Sequence, residues 1–267
     1  MRSPRERAAI AAPTGFLQTG GDIAVFAGRL AGELRRAGGH GSEVLRQASL
    51  IATGSTAVIM AIAFFAGGSC GLESSSLARA FGASPIAGGF STWCTLREVV
   101  PFVFGYILAA KVGCGMVAEL GAMRVDEEVD AIEAMGVRSL AWLAGTRALA
   151  CALLLPFAYV LALAAAQLAA YLMSVVRFGD VSPGTWQLFF FMFQDGWDLV
   201  FSLVKGLVIS VFVVVTALYF GYGVRGGPED VGIATARSMA VNIVGVTVIS
   251  MAGTLIFWGA NPRLPLG

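Results

Sequence analysis

Five stretches of this sequence are almost free of charge, and each is long enough to cross a membrane as a helix. They are residues 47–72, 99–118 (interrupted only by Lys111), 148–176, 206–224 (continuing an apolar stretch that begins near Leu199) and 238–262. A hydrocarbon core needs roughly 20 consecutive helical residues. A helix satisfies its own backbone in lipid and an open sheet does not, so the spans read as helices. Only 13% of the 267 residues are charged, against about a quarter in soluble domains. The expected fold is therefore all-α: a polytopic integral membrane protein of about five spans. Residues 1–46 read as a cytoplasmic N-terminal segment and residues 47–267 as the transmembrane domain. The glycine-rich stretch 80–96, broken by Pro85, reads as a slanted start to the second span rather than an outer loop.

Basic residues orient the bundle. With the N-terminus in the cytoplasm, Arg2, Arg5, Arg7, Arg29, Arg35, Arg36, Arg46, Arg124, Arg138, Arg147, Arg225 and Arg237 face inward, and Arg79, Arg97, Arg177 and Arg263 face outward. The positive-inside rule selects that arrangement, which puts the C-terminus outside. Ala8–Ala12 is too short for the apolar core of a signal peptide, so the first span is expected to direct insertion. A net charge of +1 gives no case for nucleic-acid binding.

Two further segments have helical periodicity. Ile23, Phe26, Ala27, Leu30 and Leu34 form one stripe, with charges mostly off it, as in a helix lying on the membrane surface. Between the second and third spans, Val125, Val129, Ile132 and Met135 form another, opposite Asp126, Glu127, Asp130 and Glu133, and Gly136 suits the C-cap. Anionic headgroups would repel this acidic helix. Its stripe has no evident burial partner in the sequence, which points to docking on a protein. Gly105, Ala109 and Gly113 in the second span, and Ala158, Ala162, Ala166 and Ala170 in the third, form rows of small residues that allow close helix approach in lipid.

Ionisable groups at membrane depth are costly and usually face a cavity or a partner. Lys111 reads equally as such a group or as one that snorkels to the interface, and Lys205 reads rather as snorkelling. Arg97 and Glu98 are adjacent, and neighbours on a helix do not face each other, so each needs another partner. For Arg97 a lipid headgroup and plain interfacial anchoring both fit. Cys70, Cys94, Cys114 and Cys151 read as small packing residues, in preference to a Cys70–Cys94 disulfide, and His40 as a linker residue among glycines. The chain has no P-loop pattern, hydrolytic triad, metal cluster or dinucleotide fingerprint. It reads as a non-enzymatic transport subunit with no cofactor of its own. The competing reading is a self-contained secondary transporter or channel with an ion path through Lys111, Lys205 and Glu119.

Leu96–Pro156 resembles the signature region of MlaE/YrbE permeases. The likeness is carried by Arg97-Glu98, by Ala118-Glu119-Leu120-Gly121-Ala122-Met123-Arg124, by Glu127 or Glu128 with Glu133 before Met135-Gly136-Val137, and by Arg147 and Pro156. A second block runs from Asp198 through Lys205 to Gly221-Tyr222, Gly226-Gly227, Val231-Gly232 and Ala234-Thr235. The resemblance implies a dimeric permease core in a bacterial cytoplasmic membrane, with lipid held between this chain and a second permease subunit, identical or paralogous. It implies a cytoplasmic ABC ATPase dimer that binds the ATP, and MCE-domain proteins on the outer side. Residues 125–135 then correspond to the coupling helix. Glu119, Arg124, Glu127, Glu128, Ile132, Glu133 and Met135 are the ATPase-coupling candidates, and Arg97, Glu98, Lys111 and Lys205 the lipid or cavity contacts. Two departures stand out: Lys111 occupies a position where the family commonly has arginine, and no acid follows Asp230, although many relatives carry one in the last span. Both would suit one member of a paralogous pair.

Overall fold

The computed structural model describes residues 13–179 and 181–259, with side chains from Gln18 onward. Arg2, Arg5, Arg7, Ala8–Ala12 and Arg263 lie outside the described residues. The described residues are mostly helical, with no strand among them, and contain five helices long and apolar enough to cross a membrane: Gln18–Ala80, Ser84–Val125, Leu140–Arg177, Gly196–Tyr222 and Pro228–Trp258. The expected all-α, five-span architecture is what the chain adopts.

Helix α1 (Pro13–Ala37) passes through a 3₁₀ turn, Gly38–His40, into α2 (Gly41–Ala80). At 1.5 Å per residue α2 is about 60 Å long, twice a hydrocarbon core of about 30 Å, so the first span extends well past its uncharged run. The second span is α3 (Ala87–Trp93), a π-helical turn (Cys94–Val99), α4 (Val100–Ile107), a second π turn (Leu108–Gly113) and α5 (Cys114–Val125). The glycine-rich stretch after Pro85 is thus a continuous start to this span, as its sequence suggests. The short α6 (Glu128–Ala134) leads to the third span, formed by the π turn Leu140–Gly145, α7 (Thr146–Tyr171) and the π turn Leu172–Arg177. Then come α8 (Pro183–Met192), the fourth span α9 (Gly196–Tyr222) and the fifth span α10 (Pro228–Trp258). The periodicity gave no separate sign of α8, whose ten residues are too few to span. Its Trp186, and Phe193 just beyond it, pack on α3, where Gly88 and Gly89 leave room for them, and Trp93 Nε1 donates to Phe193 O at 3.0 Å.

The rows of small residues work as expected. Gly71 of α2 lies so close to α7 that a Cβ there would sit 2.7 Å from Ala170 O, and Gly67 meets Ala166 in the same way. Without a hydrophobic drive between helices in lipid, such contact supplies the attraction through dispersion. The outward faces are apolar: Phe65, Phe157 and Ile256 are exposed.

Four expectations outside the loop between the second and third spans need correction. Cys70 and Cys94 form a disulfide, with 5.8 Å between their Cα atoms, that ties the first span to the second. Close packing of α2 against the second span creates this pairing, and sequence spacing does not show it. His40 sits edge-on to Trp142, its ring centroid at 4.8 Å, and is not a free linker residue. The stripe of α1 is turned onto the protein: Ile23 and Leu30 are buried, and Phe26 packs on Tyr219 at 5.8 Å. Lys205 does not snorkel, as described below.

Candidate functional site

Two clusters of charge lie at opposite ends of the bundle. The first is beside the disulfide. Asp195 and Asp198 form a capping box at the start of α9: each carboxylate accepts from the other residue's backbone N–H, which satisfies donors that a helix start leaves open. Asp198 is buried and receives Arg97 Nη2 at 3.0 Å and Trp258 Nε1 at 2.6 Å. The Arg97 guanidinium also lies over the Trp93 ring, 4.8 Å from its centroid. One turn further along α9, Ser202 donates to Leu96 O and shares a 2.6 Å hydrogen bond with Tyr159.

Lys205 lies two turns after Asp198, on the same face of α9. It is only 1% exposed, and its ammonium donates to Arg97 O at 2.7 Å, to Thr254 Oγ1 at 2.7 Å and to Glu98 Oε2 at 3.2 Å. Its aliphatic stem runs past Gly253, where a Cβ would come within 3.2 Å of Lys205 Cγ. Three donor bonds and a counter-charge make burial cheaper than reaching for the interface, which is why snorkelling loses here. The expectation that Arg97 and Glu98 look to different partners holds: Arg97 pairs with Asp198 and Glu98 with Lys205.

Glu98 is the outward-facing member of the set, its side chain about half exposed. With Phe102 of α4 and Thr247, Ser250, Met251, Thr254 and Leu255 of α10, it lines an open pocket of about 260 Å³. One wall is apolar, and the other presents a carboxylate and hydroxyls over a buried ammonium. Below the pocket, Tyr106 and Thr247 share a 2.7 Å hydrogen bond. Lys111, in the second π turn, is exposed.

The second cluster surrounds α6. Glu127 adopts a left-handed conformation (φ 59°), so the expected helix 125–135 is divided: Val125 closes α5, and α6 starts at Glu128. Gly136, at φ +79°, ends α6 as its sequence suggests. Its N–H bonds to Glu133 O at 2.9 Å and that of Val137 to Ile132 O at 3.3 Å, the paired bonds of a Schellman motif. The apolar stripe is not unpartnered. Val129 is buried and Ile132 packs against the chain's own core; Met135, 73% exposed, is the free apolar group. Arg124 bonds to Asp130 at 3.2 Å and to Tyr222 O at 3.1 Å. Glu133 accepts from Ser139, which shares a 2.7 Å bond with Tyr222. Glu119 pairs with the buried Arg147 at 2.5 Å. Arg124, Ile132 and Glu133 therefore brace α6 against the spans, Glu119 ties the second span to the third, and Glu127, Glu128 and Met135 point away.

The structure does not bring Lys111, Lys205 and Glu119 together as an ion path would require: Lys205 is paired near the disulfide and Glu119 near α6. Sequence reading missed Trp93, Thr254 and Trp258 as members of the first cluster. The only local hint of that cluster was the seven-residue separation of Asp198 and Lys205, which places both on one helix face.

The model of the family described as Permease MlaE matches residues 44–256, which contain both clusters. The chain belongs to the MlaE permease family. It is 28% identical over 193 residues to a probable ABC transporter permease protein of Synechocystis, covering 71% of this chain and 73% of the relative. It is 24% identical over 222 residues to the intermembrane phospholipid transport system permease protein MlaE of Haemophilus influenzae, covering 83% and 85%. It is also 22% identical over 253 residues to the chloroplastic protein TRIGALACTOSYLDIACYLGLYCEROL 1 of Arabidopsis thaliana, covering 94% of this chain and 72% of the relative. Family membership and the five apolar helices together make this chain a multi-pass membrane permease of the ABC transporter type.

Proposed function

We propose that this permease is the membrane subunit of an Mce-type lipid ABC transporter in a bacterial cytoplasmic membrane, moving phospholipid inward. The observation that carries the reading is the mostly apolar pocket with a carboxylate and hydroxyls at Glu98, opening from the spans over a buried Lys205 and beside the Arg97–Asp198 pair. Placing four ionisable groups side by side in a membrane bundle is costly, and such sets usually mark a substrate path. In this reading Arg97 and Lys205, each paired with an acid, hold the polar side of the pocket in place and Glu98 gates access to it. The name of the Haemophilus relative supports phospholipid as the cargo.

A second permease subunit closes the open side of the pocket, and MCE-domain proteins receive or deliver lipid at the disulfide end. A separate ABC ATPase dimer docks on α6 through Met135, Glu127 and Glu128 and drives the cycle. The disulfide supports an outward-facing position for its end, since such bonds persist in oxidising compartments. The asymmetry of basic residues favours the same orientation.

The test is purification of the intact complex, identification of its bound lipid by mass spectrometry, and ATP-dependent movement of a fluorescent phospholipid in proteoliposomes. Glu98→Gln, which keeps the shape and removes the charge at the pocket mouth, should slow transport while leaving assembly intact. A complex without lipid, and without ATP-dependent lipid movement, would end this reading.

A further inference from the structure

The acids within the second to fourth spans are all engaged: Glu98 with Lys205, Asp198 with Arg97, and Glu119 with Arg147. Lys111 stands apart from these pairs, exposed on the second span about 20 Å along the helix from Glu98 at 1.5 Å per residue. None of these acids is left to serve as a counter-charge for Lys111.

The winding of the helix indicates where that charge lies. Glu98, Phe102 and Tyr106 recur every four residues down one face. The next turn, Leu108–Gly113, is π-helical, with i→i+5 hydrogen bonds. Lys111 is five residues after Tyr106, so the looser turn keeps it closer to the face that carries the pocket. An α-helical turn would have swung it further round. Across the groove, Thr254, Ser250 and Thr247 of α10 give a matching row of hydroxyls, and Thr247 is bonded to Tyr106. The Tyr106–Thr247 pair thus stands between Glu98 and Lys111 along the span.

We propose that Lys111 is a second anion site on the lipid path, holding the phosphate of a phospholipid headgroup at the opposite depth of the membrane from the Glu98 pocket. This rests on the lipid-path reading above and adds a station to it. A lipid engaged at Lys111 would present its phosphate to the ammonium and its chains to the apolar wall. It would then pass the Tyr106–Thr247 rung to reach the pocket. The ammonium suits such a waypoint, because its long stem follows a moving headgroup without fixing its orientation.

The experiment places a photo-crosslinking amino acid at Ala110, exposed beside Lys111, or at Phe102 in the pocket. The transporter complex is reconstituted in ³²P-labelled phosphatidylethanolamine and phosphatidylglycerol vesicles. Labelled lipid should be captured at both positions. Lys111→Gln should reduce capture at Ala110 by about tenfold, the worth of a charge-assisted hydrogen bond, and leave capture at Phe102 in place. Lys111→Arg should restore it, and excess inorganic phosphate should not displace the lipid. Unchanged capture at Ala110 in Lys111→Gln overturns the second site alone. So does a protein adduct there, which would assign the counter-charge to a neighbouring subunit. Displacement by phosphate would assign the site to a free anion and overturn the lipid. No capture at either position would overturn the lipid-path reading itself.

Discussion

Asp198→Asn keeps the size of the side chain and its acceptor for Trp258, and removes the charge that faces Arg97. The pair is 3.0 Å apart, with side-chain exposures of 10% for Arg97 and 1% for Asp198, so water screens it little. At an effective dielectric of about 20 the attraction at that distance is roughly 5 kcal/mol. Part of this is offset by the cost of desolvating both groups, and loss of one member leaves the other buried and unpaired, a net penalty of about 3–5 kcal/mol. Arg97→Gln removes the same interaction from the other side. Each single variant should lose about 3 kcal/mol of stability, and the double variant little more than either alone, a coupling of about 3 kcal/mol. Reversible unfolding by SDS in mixed micelles, followed by tryptophan fluorescence, reads the cycle. Trp93 and Trp258 flank the pair and report its disruption directly. Single-variant losses that add to within about 0.5 kcal/mol would show that the two groups do not act as a pair, and the electrostatic account of the cluster would fail.

Gly71→Leu should push α2 and α7 apart, because even its Cβ would lie 2.7 Å from Ala170 O; overpacking of this kind costs about 1–3 kcal/mol or more, read as a lower unfolding midpoint in the same assay. Met135→Asp should reduce co-purification of the ATPase without loss of folded permease, since Met135 is exposed and braces nothing; undiminished recovery of the ATPase would remove α6 from the interface. Ile132→Asp should lower the stability of the permease itself, because Ile132 packs on the core. A cysteine replacing Ser182, in a variant lacking the native cysteines, should react with an impermeant maleimide added outside the cell. Labelling only from the cytoplasmic side would reverse the orientation.

The number, type and approximate position of the spans were legible in the sequence. So were the small-residue contacts and the C-cap at Gly136. These depend on local properties: a run free of charge, a four-residue repeat, a glycine where φ must be positive. The need of Arg97 and Glu98 for separate partners was also legible, because adjacent helical residues point in different directions. Their partners were not. Asp198 is 101 residues from Arg97, and Thr254 is 156 from Glu98. Only the packing of α9 and α10 against the second span brings them together. The same holds for Cys70–Cys94, for the burial of Lys205 and for the seating of Val129 and Ile132 against the spans. Periodicity states which side of a helix is apolar or charged. Which neighbour covers that side, and so whether a lysine is buried in a pair or left facing lipid, depends on contacts between segments far apart in the chain.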